Sequence, residues 1–172
     1  MSKDSSISIR SRLVDEPIVE MLLTKKYLKS GIKFMKTDSA SSGVSGMIFY
    51  ANGIRQSLIV KRNSSKYFKS PNFTVTIDKN NLNVFNNVMY VFIDEVADSL
   101  YIVNGVQLLK YILTHPDKIT VSNDDAKKSF VLIPKRDLIL LVNDKNGIIK
   151  YNKQISKLFE IGRSEDLYRE LV

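Results

Sequence analysis

The stretch "GMIFYANGIRQSLIVKR" (46–62) constrains the fold more than any other. Two apolar runs flank Asn52-Gly53, a dipeptide that tolerates the positive φ angles of the two-residue turn joining antiparallel strands. The spacing predicts a hairpin with strands over 46–51 and 55–62. Further short runs rich in β-branched and aromatic residues read as strands: "IKFMK" (32–36), "FTVTID" (73–78) and "SFVLIP" (129–134). The most apolar of all, "VMYVFIDEV" (88–96), pairs with "LYIV" (100–103) across Ala97-Asp98-Ser99.

Elsewhere the period is helical. Residues 15–30, "DEPIVEMLLTKKYLKS", begin on Asp-Glu-Pro, carry an apolar stripe through Ile18, Met21, Leu22 and Leu28, and stop at Gly31. "KNNLNVFNN" (79–87) suits a helical turn, and "GVQLLKYILTH" (105–115) a helix ended by Pro116. "NKQISKLFEIGRSEDLYREL" (152–171) predicts a C-terminal helix broken at Gly162. Helix, strands, helix, strand, helix is the order of an α/β fold: a single domain with a central mixed β-sheet flanked by helices. At 172 residues and 44% hydrophobic, the chain is long enough for one well-cored domain and short for two. The expected organisation is one domain over residues 13–172 behind a polar, flexible segment at 1–12.

Charge narrows the partners. The sequence holds 26 Lys+Arg against 18 Asp+Glu, a net +8, which favours polyanions, nucleic acid first. There are no cysteines, hence no disulfide framework and no thiolate metal site. "MSKDSSISIR" lacks the apolar core of a signal peptide. No apolar run approaches the ~20 residues that span a bilayer; "LILLV" (138–142) is among the longest. These features predict a soluble, cytoplasmic protein with no membrane association. The Asn- and Lys-rich composition suits an AT-rich genome, such as that of a phage or mobile element.

The opening helix, "GIKFMKTDSASSGVSGMIFYANGIRQSLIVKRN", "FTVTIDKNNLNVF", "VMYVFIDEVADSLYIVNGVQLLKYI" and "FVLIPKRDLI" follow one another in an order that resembles the PD-(D/E)XK, restriction-endonuclease-like superfamily, over roughly residues 14–140. Many members start one core strand with "G-[IV]-D-G" and end its neighbour in "(E/Q)-x-K". The matching segments here are Gly43-Val44-Ser45-Gly46 and Ile59-Val60-Lys61. The resemblance implies metal-dependent phosphodiester hydrolysis, in which carboxylates on adjacent strands hold Mg²⁺ or Mn²⁺ and the lysine assists. A hard cation needs oxygen ligands, and it activates water and neutralises charge developing on phosphorus. Ser45 and Ile59 stand where those carboxylates belong. A hydroxyl is a poor ligand and an alkyl chain is none, so the motif is degenerate, with Lys61 and the flanking glycines left in register.

Two acids offer an active site by another route. Asp38 of "KTDSA" supplies a carboxylate if the register is shifted, although Asp is ordinary in a Ser-rich turn. Glu20, within "IVEMLL", supplies one if the helix turns it toward the sheet, whereas a solvated helix face explains it equally. His115 has the explanation of a helix-end hydrogen bond. "NDKNG" (143–147) lacks the acids of a calcium loop, and "DE" at 94–95 reads as surface before a turn. The positive signal is "VKRNSSKYFKS" (60–70): Lys61, Arg62, Lys66 and Lys69 suit phosphates, and Tyr67 with Phe68 suits stacking on unpaired bases. A solubilising loop with a ring tucked into the core gives the same letters. The sequence therefore predicts a nucleic-acid-binding domain, on DNA ahead of RNA, with hydrolysis weakened or lost. It leaves open an active Mg²⁺-dependent endonuclease using Glu20 or Asp38 with Lys61. It also leaves open a protein-interaction module, an accessory subunit or inhibitor, with a protein partner or homodimer.

Overall fold

The Asn-Gly hairpin anchors the larger of two sheets. In the computed structural model, which describes residues 14–30, 32–36, 47–51, 53–63, 65–121, 128–142 and 147–171, β2 (Met47–Ala51) pairs antiparallel with β3 (Ile54–Lys61), Ala51 opposite Ile54. Gly53 takes φ 79°, the left-handed conformation that the tight turn demands and glycine supplies without a Cβ penalty. β1 (Lys33–Lys36) extends the hairpin on the far side of β2. On the other side β3 runs parallel to β5 (Val88–Asp94), with Lys61 opposite Phe92. β5 turns back antiparallel into β6 (Ser99–Asn104) as the sequence predicts, and β9 (Ile148–Lys150) completes the order β1-β2-β3-β5-β6-β9. The reversal occupies residues 95–98, with Asp98 at φ 48°.

The fold is the expected mixed α/β domain, but "FTVTID" and "SFVLIP" do not join the central sheet. They form β4 (Asn72–Asp78) and β8 (Lys128–Pro134), which with β7 (Ile119–Val121) make a second, three-stranded antiparallel sheet ordered β4-β8-β7. Burial explains the partition. β4 alternates buried Phe73, Val75 and Ile77 with exposed Thr74 and Thr76, the pattern of a strand wet on one side. β5 is buried on both faces, from Tyr90 through Ile93, and so takes a central place.

Two apolar layers therefore sandwich the large sheet. On one face Leu58, Val60, Val91 and Ile93 meet Val19 and Leu23 of α1 (Glu16–Lys26) and Phe159 of α4 (Lys153–Leu171). On the other, Tyr90, Phe92 and Val103 meet the small sheet, Leu108 and Ile112 of α2 (Gly105–Thr114), and Leu138 of α3 (Lys135–Leu141). Two expectations about helices change, and one helix was not expected. α1 ends at Lys26, where the Tyr27 N–H caps the Leu23 carbonyl at 2.9 Å, and the Tyr27 ring turns toward Phe34. Its buried stripe is Glu16, Ile18, Val19 and Leu23, so Met21 and Leu28 point to solvent. α4 runs through Gly162 without a break. "KRDLILL" forms α3 and buries Leu138. Among the described residues no helix is long and apolar enough to cross a membrane.

Candidate functional site

β3 and β5 are the parallel pair of the large sheet, and their carboxyl ends carry Lys61 and Asp94. The crevice beyond such strand ends is where open α/β sheets commonly bind ligands. The two-residue period of a strand sets Ile59 and Lys61 on the same face as Tyr90, Phe92 and Asp94, the face that packs on the small sheet. Lys61 is half-buried beside Phe92, and burial lowers its pKa from the ordinary 10.5, because desolvation disfavours the charged amine. No hydrogen bond or ion pair to a described residue offsets that cost. Ile59, one of the two positions where the sequence resemblance expects a carboxylate, packs into the apolar layer opposite Tyr90.

Asp94 corrects the reading of "DE" as surface. It is 3% exposed and accepts hydrogen bonds from Lys135 Nζ at 2.9 Å and the Tyr101 hydroxyl at 2.7 Å. The Val96 and Ala97 N–H groups donate to the same carboxylate, fixing the turn. Burial alone would push this carboxyl up; the bonds from Lys135 and Tyr101, with the charge of Lys135, outweigh it and hold the pKa below its ordinary value. Tyr101 shifts upward, through burial first and then its bond to Asp94. Lys135, at the start of α3, also lies 5.6 Å from the Phe73 ring, so one cation ties the small sheet to the end of β5. Sequence reading missed this group because its partner is 41 residues away.

The opening helix does bring acids inward, though not the expected one. Glu20 is half-buried, off the buried stripe, while Glu16 is 1% exposed upon it. Asp15, just before the helix, accepts from Arg62 Nε at 2.8 Å, and both side chains are almost wholly enclosed. Arg62 therefore leaves the set proposed to touch phosphates: adjacent to Lys61, it points to the opposite face and pairs with Asp15. Asp38 and Ser45 lie outside the described residues. Among those described, no three His, Asp or Glu side chains assemble into a cluster that could hold a metal ion. Asp15 and Asp94 are each engaged by a cation, and Ile59 offers no oxygen. The described donor set does not fit Mg²⁺ or Mn²⁺.

The basic loop is built, not loose. Arg62 Nη1 donates to the Asn63 carbonyl at 2.7 Å, and Asn63 Nδ2 donates to the Asn72 carbonyl at 3.0 Å, closing the loop at its base. Ser65–Tyr67 forms a 3₁₀ turn packed against α4, and the Ser70 N–H bonds the Tyr67 carbonyl at 2.9 Å. The Arg163 guanidinium lies 3.8 Å from the Phe68 ring centroid and 3.5 Å from Glu95, joining the loop to the turn after β5. Phe68 is thus partly covered, whereas Lys66, Tyr67 and Lys69 are exposed.

Fold and site together define a mixed α/β domain that presents a cationic, aromatic loop beside the carboxyl end of its parallel strands. No family model matches the chain, and no curated protein matches it. Among solved structures it is similar to D212, a nuclease from a fusselovirus, with a TM-score of 0.40 and 15% sequence identity, over 73% of this chain and 88% of that one. A likeness of that size assigns no residue and no chemistry.

Proposed function

We propose that this chain is a nucleic-acid-binding domain on a restriction-endonuclease-like scaffold whose metal-dependent phosphodiester hydrolysis is weakened or lost, acting on DNA ahead of RNA. The carrying observation is the tied loop 63–72, which holds Lys66, Tyr67 and Lys69 in solvent next to the strand end bearing Lys61. The net charge of +8 supports the same reading, since phosphate neutralisation releases counterions and drives association. Lys61 supplies a further cation at the carboxyl end of β3. It is also what sustains the second reading, an active endonuclease using Glu20 or Asp38, because a half-buried lysine at a strand end, with no partner among the described residues, is the kind of group a catalytic site employs.

Fluorescence anisotropy of labelled DNA and RNA across a salt series tests the proposal. Wild-type protein retains nucleic acid at low salt and releases it as salt rises. Lys66→Ala with Lys69→Ala flattens the slope of log K against log salt by roughly 1.5, the share of two phosphate contacts. Absence of retention of either polymer at low salt overturns the proposal in favour of the protein-interaction module, an accessory subunit, inhibitor or homodimer.

A further inference from the structure

Tyr67 is set apart by its exposure. Of the tyrosines whose side chains are described, the others are buried or half-buried, whereas Tyr67 is 59% exposed. Its ring meets the Lys66 ammonium at 5.8 Å, and its hydroxyl has no hydrogen-bond partner among the described residues. Its backbone is nevertheless fixed, by the 3₁₀ turn, by the bond from Ser70, and by the neighbouring Phe68 held under Arg163. A ring displayed on a fixed turn loses little conformational freedom when a flat partner docks on it, and the lysines at 66 and 69 flank it with positive charge.

We infer that loop 63–72 is a stacking platform for an unpaired base, so that single-stranded nucleic acid is the preferred ligand: Tyr67 takes the base, and Lys66 and Lys69 take the phosphates on either side. The inference rests on the nucleic-acid reading of the same loop and adds its substrate class. In a duplex every base face is already covered, and a short loop reaches one only after the base is flipped out at a cost of a few kcal/mol. A single strand offers its faces freely, and aromatic stacking on them is tolerant of sequence.

The test uses oligo-dT and oligo-rU of about 12 nucleotides, with duplexes of equal length, at one salt concentration. The single strands bind more tightly than the duplexes, and the dT and rU arms identify the sugar. Tyr67→Ala weakens single-strand binding about tenfold and duplex binding by a much smaller factor, while Tyr67→Phe behaves as wild type. A 2-aminopurine placed in the strand loses fluorescence on binding wild type and Tyr67→Phe but not Tyr67→Ala, a signature of stacking that altered folding does not imitate. Equal affinity for single strand and duplex, or equal loss of both in Tyr67→Ala, overturns the inference and leaves the loop as a phosphate contact. No binding of any of them overturns the underlying reading as well.

Discussion

Lys61 and Asp94 end neighbouring parallel strands on one face, yet their charges are treated oppositely. Asp94 is compensated by Lys135, Tyr101 and two backbone N–H groups; Lys61 is desolvated with nothing described to offset it. Lys61→Met keeps the stem against Phe92 and removes the charge. Relief on the order of 1 kcal/mol raises the melting temperature by about 2–4 °C, while nucleic-acid affinity falls. The folded-state pKa of the amine lies below its unfolded value, so the gain is full at neutral pH and shrinks as pH climbs through that lowered pKa toward 10.5. A melting curve unmoved at pH 7 contradicts this account. Asp94→Asn has the reverse sign: it costs roughly 3 kcal/mol in urea unfolding, because Lys135 is left buried without its counter-charge. The Asp94 carboxyl is depressed on folding, so its contribution is present above the ordinary 3.8 and lost as pH falls through the folded pKa. The gap between wild type and variant therefore closes below about pH 4. Asp137, held low by Tyr111 and Lys118, titrates in both proteins and cancels. At this scale the sequence was legible for the position of Lys61, which a strand pattern places at a strand end, while it left Tyr67 open between an exposed ring and one tucked into the core. It was illegible for Asp94 and Arg62, since an acid before a turn or an arginine in a basic run looks solvated until a distant partner appears.

The elements are specified by caps and close approaches as much as by apolar period. α2 begins where Asn104 Oδ1 accepts from the Val106 N–H at 2.8 Å and the Gln107 N–H at 3.4 Å, satisfying two donors that the first turn leaves open. Asn104→Ala costs about 1 kcal/mol of stability. The next residue gives the sharper test. A Cβ on Gly105 would lie 2.5 Å from the Phe85 carbonyl oxygen and 2.8 Å from that of Val88, both backbone atoms that cannot swing aside. Gly105→Ala, which by helix propensity alone would stabilise by about 1 kcal/mol, instead destabilises by about 2 kcal/mol through overpacking. A higher denaturation midpoint for Gly105→Ala would show that α2 does not seat against β5 as described. The short-range signals in the sequence, Asn-Gly at 52–53 and the apolar run at 88–96, located β2, β3 and β5 because they are local. The division of strands between two sheets was not legible: "FTVTID" alternates equally well as the edge of either, and its partner "SFVLIP" lies some fifty residues downstream, so only the closing of the second apolar layer selects the small sheet.

Across the described residues, the large sheet is a floor with an apolar layer on each side, and Lys61 and Asp94 sit at the rim where β3 and β5 end. On the proposed reading, that layout makes a metal site hard to build at the two positions where the resemblance expects carboxylates. A carboxylate at position 59 would enter the layer in which Ile59 packs against the small sheet, not a solvated strand end. The only described acids turned inward from α1, Asp15 and Glu16, lie on the other face with Arg62. A hard ion needs oxygen ligands converging on one point, and the described residues divide theirs between two faces. Calorimetric titration of Mn²⁺ into wild-type protein is accordingly expected to give no binding tighter than about millimolar, with plasmid DNA and RNA left intact in Mg²⁺ or Mn²⁺. Ser45→Asp with Ile59→Glu is expected to lose about 3 kcal/mol from the metal-free fold, since a buried carboxylate replaces a packed side chain. Added Mn²⁺ then restores part of that loss if the two acids meet, because a ligand bound only by the folded state stabilises it by mass action. Tight Mn²⁺ binding by wild type, abolished by Asp38→Asn or Glu20→Gln, would instead show that the acid removed belongs to a working metal site and would favour the active-endonuclease reading.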